Sequence, residues 1–143
     1  MSASRILSQK GSDIFSVSPD TTLLDAAREL TERRIGAVVV LSDDREPVGV
    51  FSERDLARAL AEGGPSVLDQ AVTSVMTRDL ITAAPETDVD DLMSLMTGRR
   101  VRHILIVKDD RLQGVVSIGD VVKRKIAEAE AEAESLKTYI ETA

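Results

Sequence analysis

Cysteine, tryptophan and asparagine are absent from the 143 residues, and there is a single histidine, His103. Without cysteine the chain has no disulfide scaffold, no thiol nucleophile and no thiolate metal site. A single histidine argues against a zinc hydrolase and against a histidine-dependent catalytic triad. Aromatic residues make up only 2% of the chain, which excludes the stacking platforms that bind single-stranded nucleic acid.

Acidic residues outnumber basic ones by 25 to 18, and long apolar runs are scarce. The net charge is −7 and the pI is about 4.7, which disfavours binding to a phosphate backbone. The longest apolar stretch, residues 35–41, is far too short to cross a bilayer, and the N-terminus does not resemble a secretion signal. We therefore expect a cytoplasmic protein with no nucleic-acid or membrane partner. Its length and its 43% hydrophobic content predict one compact body with a real core.

An internal repeat organises the sequence. Shifting the chain on itself by 66 residues places Pro19 on Pro85 and Asp25 on Asp91, and it places residues 43–45 on residues 109–111. One residue is then lost, and at an offset of 65 the segment 49–55 meets the segment 114–120. Turns coincide with turns and apolar runs with apolar runs, so we interpret the chain as a tandem duplication.

Each copy reads as β-α-β-β-α. The predicted elements are a short strand (14–17 and 80–83), a helix with one apolar face (23–33 and 89–98), a buried strand (37–41 and 104–107), a return strand (47–51 and 112–116) and a second helix that starts at Ser52 and at Ser117. One copy cannot cover its own sheet. The fold class is therefore α+β, with two repeats packed sheet to sheet. We assign residues 6–62 to repeat 1, 63–75 to a linker, 76–127 to repeat 2 and 128–143 to a helical extension; residues 67–76 are expected to form a short connecting helix.

The last helix continues past its repeat with an apolar seam at heptad spacing, formed by Val122, Ile126, Ala129, Ala133, Leu136 and Ile140. Two interpretations stay open. The helix is either a solvated tail that covers the edge of its own domain or a contact between two copies.

A Ser-x-x-Asp motif stands at the start of each second helix, with Ser52 and Asp55 in one copy and Ser117 and Asp120 in the other. A serine followed three residues later by an acid is a capping-box variant. The same geometry suits a ribonucleotide, because helix N–H groups and the serine hydroxyl favour phosphate and the carboxylate can accept the ribose hydroxyls. The two interpretations are compatible.

Two groups of cations stand near these motifs. Arg102 and His103 open the buried strand of the second copy, where the first copy has Gly36 and Ala37. Charge at the start of a buried strand indicates a phosphate contact, although a lone histidine is more often structural. Lys10 and Gly11 precede the first strand and provide a weaker signal of the same kind.

The duplication and the segments IGAVVV, VRHILIV, VGVFSERD and QGVVSIGD resemble a tandem pair of cystathionine-β-synthase (CBS) domains, over about residues 6–126. The resemblance implies two repeats related by a pseudo-twofold axis and two clefts that bind AMP, ADP, ATP, S-adenosylmethionine or NAD(H). Carried onto this sequence, it implies one cleft formed by Ser52, Arg54, Asp55, Leu80, Thr82, Arg102 and His103. The other cleft would combine Lys10, Gly11, Phe15, Gly36, Ala37, Ser117 and Asp120, and phosphate binding there would depend on Lys10.

These observations predict a non-enzymatic regulatory module that binds an adenine nucleotide, forms a homodimer and acts on an unidentified protein target. No nucleophile–base pair, metal cluster or GxGxxG motif occurs in the sequence, so we expect no catalytic residues, no metal and no catalytic cofactor. The alternative is a structural protein–protein adaptor with degenerate, empty nucleotide sites.

Overall fold

The computed structural model describes residues 1–11 and 14–142. Repeat 1 comprises β1 (Ser16–Val17), α2 (Leu23–Arg33), β2 (Ala37–Leu41), β3 (Pro47–Ser52) and α3 (Glu53–Gly63), and it is preceded by α1 (Ala3–Lys10). Repeat 2 comprises β4 (Thr82–Ala83), α4 (Val89–Arg99), β5 (His103–Lys108), β6 (Arg111–Ser117) and α5 (Ile118–Thr142). The predicted α+β class and the β-α-β-β-α repeat are confirmed.

Each repeat forms one three-stranded sheet, in the order β1-β2-β3 and β4-β5-β6. The first pair of each sheet is parallel and the second is antiparallel, with Val39 opposite Val50 and Leu105 opposite Val115. The first strands have two residues each where the sequence predicts four. Residues 14–15 and 80–81 precede the ladder, although the carbonyls of Phe15 and Ile81 still accept hydrogen bonds from β2 and β5.

The two sheets pack face to face, as predicted. Val39, Leu105 and Leu112 form a buried cluster between them, and partly buried side chains from both repeats complete it. The opposite face of each sheet is covered by the helices of its own repeat. Phe51 and Leu23 are fully buried on one side, and Ile104 and Leu92 on the other. Because strands β2 and β5 bury both faces, they read as continuous apolar runs.

The segment that leads into each repeat packs on the other repeat. Helix α1, which the sequence analysis did not predict, inserts Ile6 and Leu7 into the core of repeat 2. The segment before β4 places Val72 and Met76 in the core of repeat 1. This segment is not the predicted helix over 67–76. It consists of two short 3-10 turns, at Pro65–Asp69 and Val72–Ser74. They are separated where the Gln70 carbonyl and the Val72 amide bond to the backbone of Leu23 and Thr21.

Helix α5 extends beyond the globular body. Val121 is its single buried residue, and Lys125 reaches Asp90 on α4 at 2.7 Å. From residue 126 to residue 142 every residue is exposed. In the part of the chain that the structure describes, neither this helix nor any other combines the length and hydropathy of a membrane span.

Candidate functional site

A cleft of about 680 Å³ opens between the repeats beside the start of α3. Its volume lies in the range of about 300–1,000 Å³ that is typical of small-molecule sites. Apolar side chains of both repeats line it together with charged side chains. From the predicted set it brings together Gly36, Ala37, Ser52, Arg54, Asp55, Leu80, Arg102 and His103. We call it the Asp55 cleft.

Asp55 is the capping residue of α3 as well as a residue of this cleft. Its Oδ2 accepts hydrogen bonds from the Ser52 amide at 2.9 Å and from the Ser52 hydroxyl at 3.0 Å, and its Oδ1 accepts one from the Thr77 hydroxyl at 3.2 Å. The side chain is 3% exposed, and the Arg58 guanidinium lies 3.5 Å away. The capping box predicted from the sequence is therefore present, with Thr77 as an additional donor.

The N-terminus of α3 has fewer free backbone N–H donors for an anion than the sequence predicts. The Glu53 amide donates to the Gly36 carbonyl at 3.0 Å, and the Asp55 amide donates to the Ser52 hydroxyl at 3.2 Å. Helix α5 repeats the arrangement, since the Ile118 amide donates to the Arg102 carbonyl at 2.8 Å. Two of the first three N–H groups of α3 are thus already used, so an anion here would depend more on side-chain cations.

Such cations are concentrated at the Asp55 cleft. Arg54, Arg58, Arg100 and Arg102 line it, against the carboxylates of Glu53, Asp55 and Asp79. Arg100 ends α4 in the left-handed conformation, with φ 54°. This geometry turns the chain out of the helix and toward β5. The cleft therefore combines four arginines, against three carboxylates, with apolar lining residues, in a chain whose net charge is −7.

A second cleft, of about 570 Å³, also lies between the repeats and shares lining residues such as Val50, His103 and Leu105 with the first. It contains Lys10, Gly11, Phe15, Gly36, Ala37 and Ser117 from the predicted set, together with mostly apolar neighbours and His103. The Arg33 guanidinium stacks 4.6 Å from the centroid of the Phe15 ring. We call this the Phe15 cleft. It is the more apolar of the two.

Lys10 is held by the protein itself. Its ammonium donates to Asp120 at 2.6 Å and to the Val115 carbonyl at 2.9 Å, which ties α1 to repeat 2. Burial alone would raise the pKa of Asp120, but the Lys10 ammonium and the hydrogen bonds from Ser117 outweigh burial and hold that pKa below its ordinary value. The positive charge that the Phe15 cleft could offer a phosphate is therefore largely neutralised by Asp120.

His103 borders both clefts. Partial burial lowers its pKa below the usual value, the Lys10 ammonium and Arg102 lower it further, and Asp120 opposes them. The ring is therefore neutral near pH 7 in the ligand-free protein.

Two predicted site residues lie outside the clefts. Thr82 pairs with Leu105 in the sheet, and Asp120 lies in a small depression of about 150 Å³ with Lys10 and Lys123. The sequence analysis in turn missed Arg58, Arg100 and Thr77 in the Asp55 cleft. The repeat offered a signal for Thr77, because the shift of 66 residues places it on Gly11, which was selected.

The fold and its clefts define a class of protein: a tandem pair of β-α-β-β-α repeats that enclose two ligand-sized clefts between their sheets. The chain belongs to the CBS domain family, whose model matches residues 6–62 and 72–126. The resemblance found in the sequence is confirmed.

Relatives share both the sequence and the fold. The chain is 39% identical over 126 residues to the mitochondrial CBS domain-containing protein CBSX3 of Arabidopsis thaliana, covering 85% of this chain and 61% of that protein. It spans 57% to 66% of the length of three such curated relatives.

Solved structures of CBS domain proteins superpose closely. A CBS-domain containing protein of Agrobacterium tumefaciens matches with a TM-score of 0.80 at 40% identity, over 87% of this chain and 99% of that one. A CBS domain protein of Pyrobaculum aerophilum, complexed with AMP, matches with a TM-score of 0.72 at 28% identity, over 84% of this chain and 89% of that one.

Proposed function

We propose that this CBS pair is a non-enzymatic regulatory module that binds an adenine nucleotide, with AMP as the reference ligand, in the Asp55 cleft. The observation that carries the proposal is the concentration of Arg54, Arg58, Arg100 and Arg102 along one cleft that apolar side chains also line. Guanidinium groups bind phosphate in a bidentate manner, and the apolar lining suits a purine. The AMP complex of the Pyrobaculum protein supports the same ligand class.

In this proposal Asp55 and Thr77 bind the ribose. The carboxylate already accepts hydrogen bonds from Ser52 and Thr77, and these donors hold it in a fixed position beside the cleft. A ribose hydroxyl would share the carboxylate with Thr77 rather than meet a free group. A preorganised acceptor reduces the entropy that ligand binding must offset.

The Phe15 cleft is proposed as a weaker site that selects for base and ribose over phosphate. Phe15 offers a ring for stacking, and Lys10 is neutralised by Asp120 at 2.6 Å. Nucleosides and AMP should therefore bind it about equally well.

Isothermal titration with AMP and with adenosine tests the proposal on the wild type and on Arg102→Ala. A charge-assisted hydrogen bond contributes about 1.5–3 kcal/mol, so the substitution should weaken AMP roughly ten- to hundredfold. Adenosine should bind with nearly unchanged affinity. Lys108→Ala is the matched control, because Lys108 is an exposed cation at the opposite end of β5. Equal losses for AMP and adenosine would assign Arg102 a structural role and contradict the phosphate assignment.

The adaptor remains the second candidate, and one observation favours it. Both carboxylates of the repeated motif have partners within the chain, Asp55 with Ser52 and Thr77, and Asp120 with Lys10 and Ser117. Absence of binding to AMP, ATP, NADH and adenosine in the same titrations would select the adaptor over the nucleotide module.

A further inference from the structure

The part of α5 that extends beyond the body carries a row of exposed apolar residues. Ile126 is 53% exposed, Leu136 58% and Ile140 70%. Two alanines, Ala129 and Ala133, lie between them, and both are exposed. Most helical stability in proteins comes from packing of an amphipathic face, so an exposed apolar seam on a helix indicates a surface that a partner covers.

The spacing of the seam specifies the shape of that partner. Residues 122, 126, 129, 133, 136 and 140 alternate steps of four and three, which places 126, 133 and 140 at heptad position a and 122, 129 and 136 at position d. A strict a/d seam is the narrow stripe that fits another helix in a coiled coil, rather than the broader face that packs on a globular core. The small residues in the middle allow two such helices to approach closely.

The charges beside the seam specify a second copy and its direction. Lys125 and Glu132 occupy g positions, and Glu130 and Lys137 occupy the e positions that follow them. In a parallel coiled coil each g residue faces the next e residue of the other helix. Two copies would therefore pair Lys125 with Glu130 and Glu132 with Lys137, in both directions across the axis. Lys125 also contacts Asp90 of its own chain at 2.7 Å, so the Glu132–Lys137 pair is the cleaner determinant.

An antiparallel pair can align the same seam, since residues 126 and 136 would then face each other. That arrangement sets Glu132 near Glu132 of the second copy at the centre of the contact. Like charges at these positions oppose pairing. From the seam and the charge pattern together, we infer that the extended parts of α5 from two copies of this chain form a parallel, in-register coiled coil.

Charge exchange in the full chain tests both the partner and the direction. Glu132→Lys places two lysines opposite each other at each g–e contact, and Lys137→Glu places two glutamates there. Each variant should weaken self-association about tenfold, measured by sedimentation equilibrium. An equimolar mixture of the two variants should associate as tightly as the wild type, because every contact then joins opposite charges. Glu134→Lys is the matched control, since position b faces away from the seam and the change in charge is the same.

Disulfide trapping gives an independent readout, because the natural chain has no cysteine. Ile140→Cys, at position a, should cross-link two copies readily on mild oxidation. Thr138→Cys, at position f, should not. In the antiparallel pair the two residues at 140 would stand about 27 Å apart, at 1.5 Å per residue, and would not cross-link.

The inference is overturned by any of three results. The first is a wild-type chain that stays monomeric. The second is a dimer that Glu132→Lys and Glu134→Lys affect equally, which would place the contact elsewhere. The third is efficient cross-linking of Thr138→Cys with none of Ile140→Cys. Circular dichroism of each variant separates loss of association from loss of fold.

Discussion

At the scale of single residues, the two motif aspartates combine capping with a position at or near a cleft. Asp55 is 3% exposed and holds Ser52 and Thr77 together. Asp120 is 21% exposed and accepts hydrogen bonds from the Lys10 ammonium and the Ser117 amide. Removal of a buried acceptor leaves its donors unsatisfied, and the cost of this rises with burial.

We therefore expect Asp55→Ala to lower the free energy of unfolding by about 2 kcal/mol, and Asp120→Ala by about 1 kcal/mol. Urea unfolding followed by circular dichroism measures both. Glu62→Ala, at an exposed position on α3, should change the free energy of unfolding by less than about 0.5 kcal/mol. If Asp55→Ala proves no more damaging than Glu62→Ala, the capping role derived from its hydrogen bonds is wrong.

The sequence singled out candidate residues that the repeat marks by identity or by a difference between the copies, and it indicated less of what surrounds them. Ser52 could be selected because its motif recurs in the other copy. Arg102 could be selected because the other copy has Gly36 at that position. Thr77 was missed because its contact with Asp55 joins residues 22 positions apart. The pairing of Lys10 with Asp120 spans 110 positions, and no local pattern indicates that a cation is already neutralised.

At the scale of elements, helices α2 and α4 end alike. Arg34 and Arg100 both adopt the left-handed conformation, with φ 56° and 54°, which is strained for a residue with a side chain and natural for glycine. The two positions differ in their surroundings, since Arg100 lines the Asp55 cleft, whereas Ile35 and Gly36, which follow Arg34, line the Phe15 cleft.

Glycine at either position should raise the free energy of unfolding by up to about 1 kcal/mol, because it relieves the left-handed strain. Arg100→Gly should also weaken AMP, whereas Arg34→Gly should leave AMP binding unchanged. Thermal unfolding and titration of the two variants provide matched measurements. Equal AMP affinities in both would show that Arg100 contributes nothing to the ligand.

Helix α2 and strand β2 were predicted with the bounds that the structure has, because each is a periodic run between clear turn signals. Helix α1 was missed for a physical reason. Its three buried residues, Ala3, Ile6 and Leu7, span little more than one turn, and the surface that they cover belongs to the distant second repeat. The connecting segment was assigned too much helix. Between its two 3-10 turns the Gln70 carbonyl accepts from the Leu23 amide and the Val72 amide donates to the Thr21 carbonyl, and these bonds to repeat 1 interrupt a continuous helix.

At the scale of the whole molecule, the duplication produces one cleft rich in arginine and one that is mostly apolar. His103 lines both of them. The pKa of His103 is lowered by burial and by Lys10 and Arg102, so the ring is neutral near pH 7. A bound phosphate at the Asp55 cleft would raise this pKa, because a nearby anion favours the imidazolium.

AMP should therefore bind with proton uptake, and its affinity should fall as pH rises through the pKa of His103 in the complex. Titrations in two buffers of different ionisation enthalpy measure the uptake directly. Adenosine, which lacks the phosphate, should bind without proton uptake. Proton uptake that is the same for both ligands would show that the phosphate does not lie near His103.

The exchange of leading segments makes each half of the chain depend on the other. Residues 1–63 carry the sheet of repeat 1 together with the helix that completes repeat 2, and the remainder carries the reverse. A single repeat cut out of this chain would lack the segment that fills part of its core, and the apolar surface left behind would face water. The interleaved packing therefore makes the two repeats one folding unit rather than two independent domains.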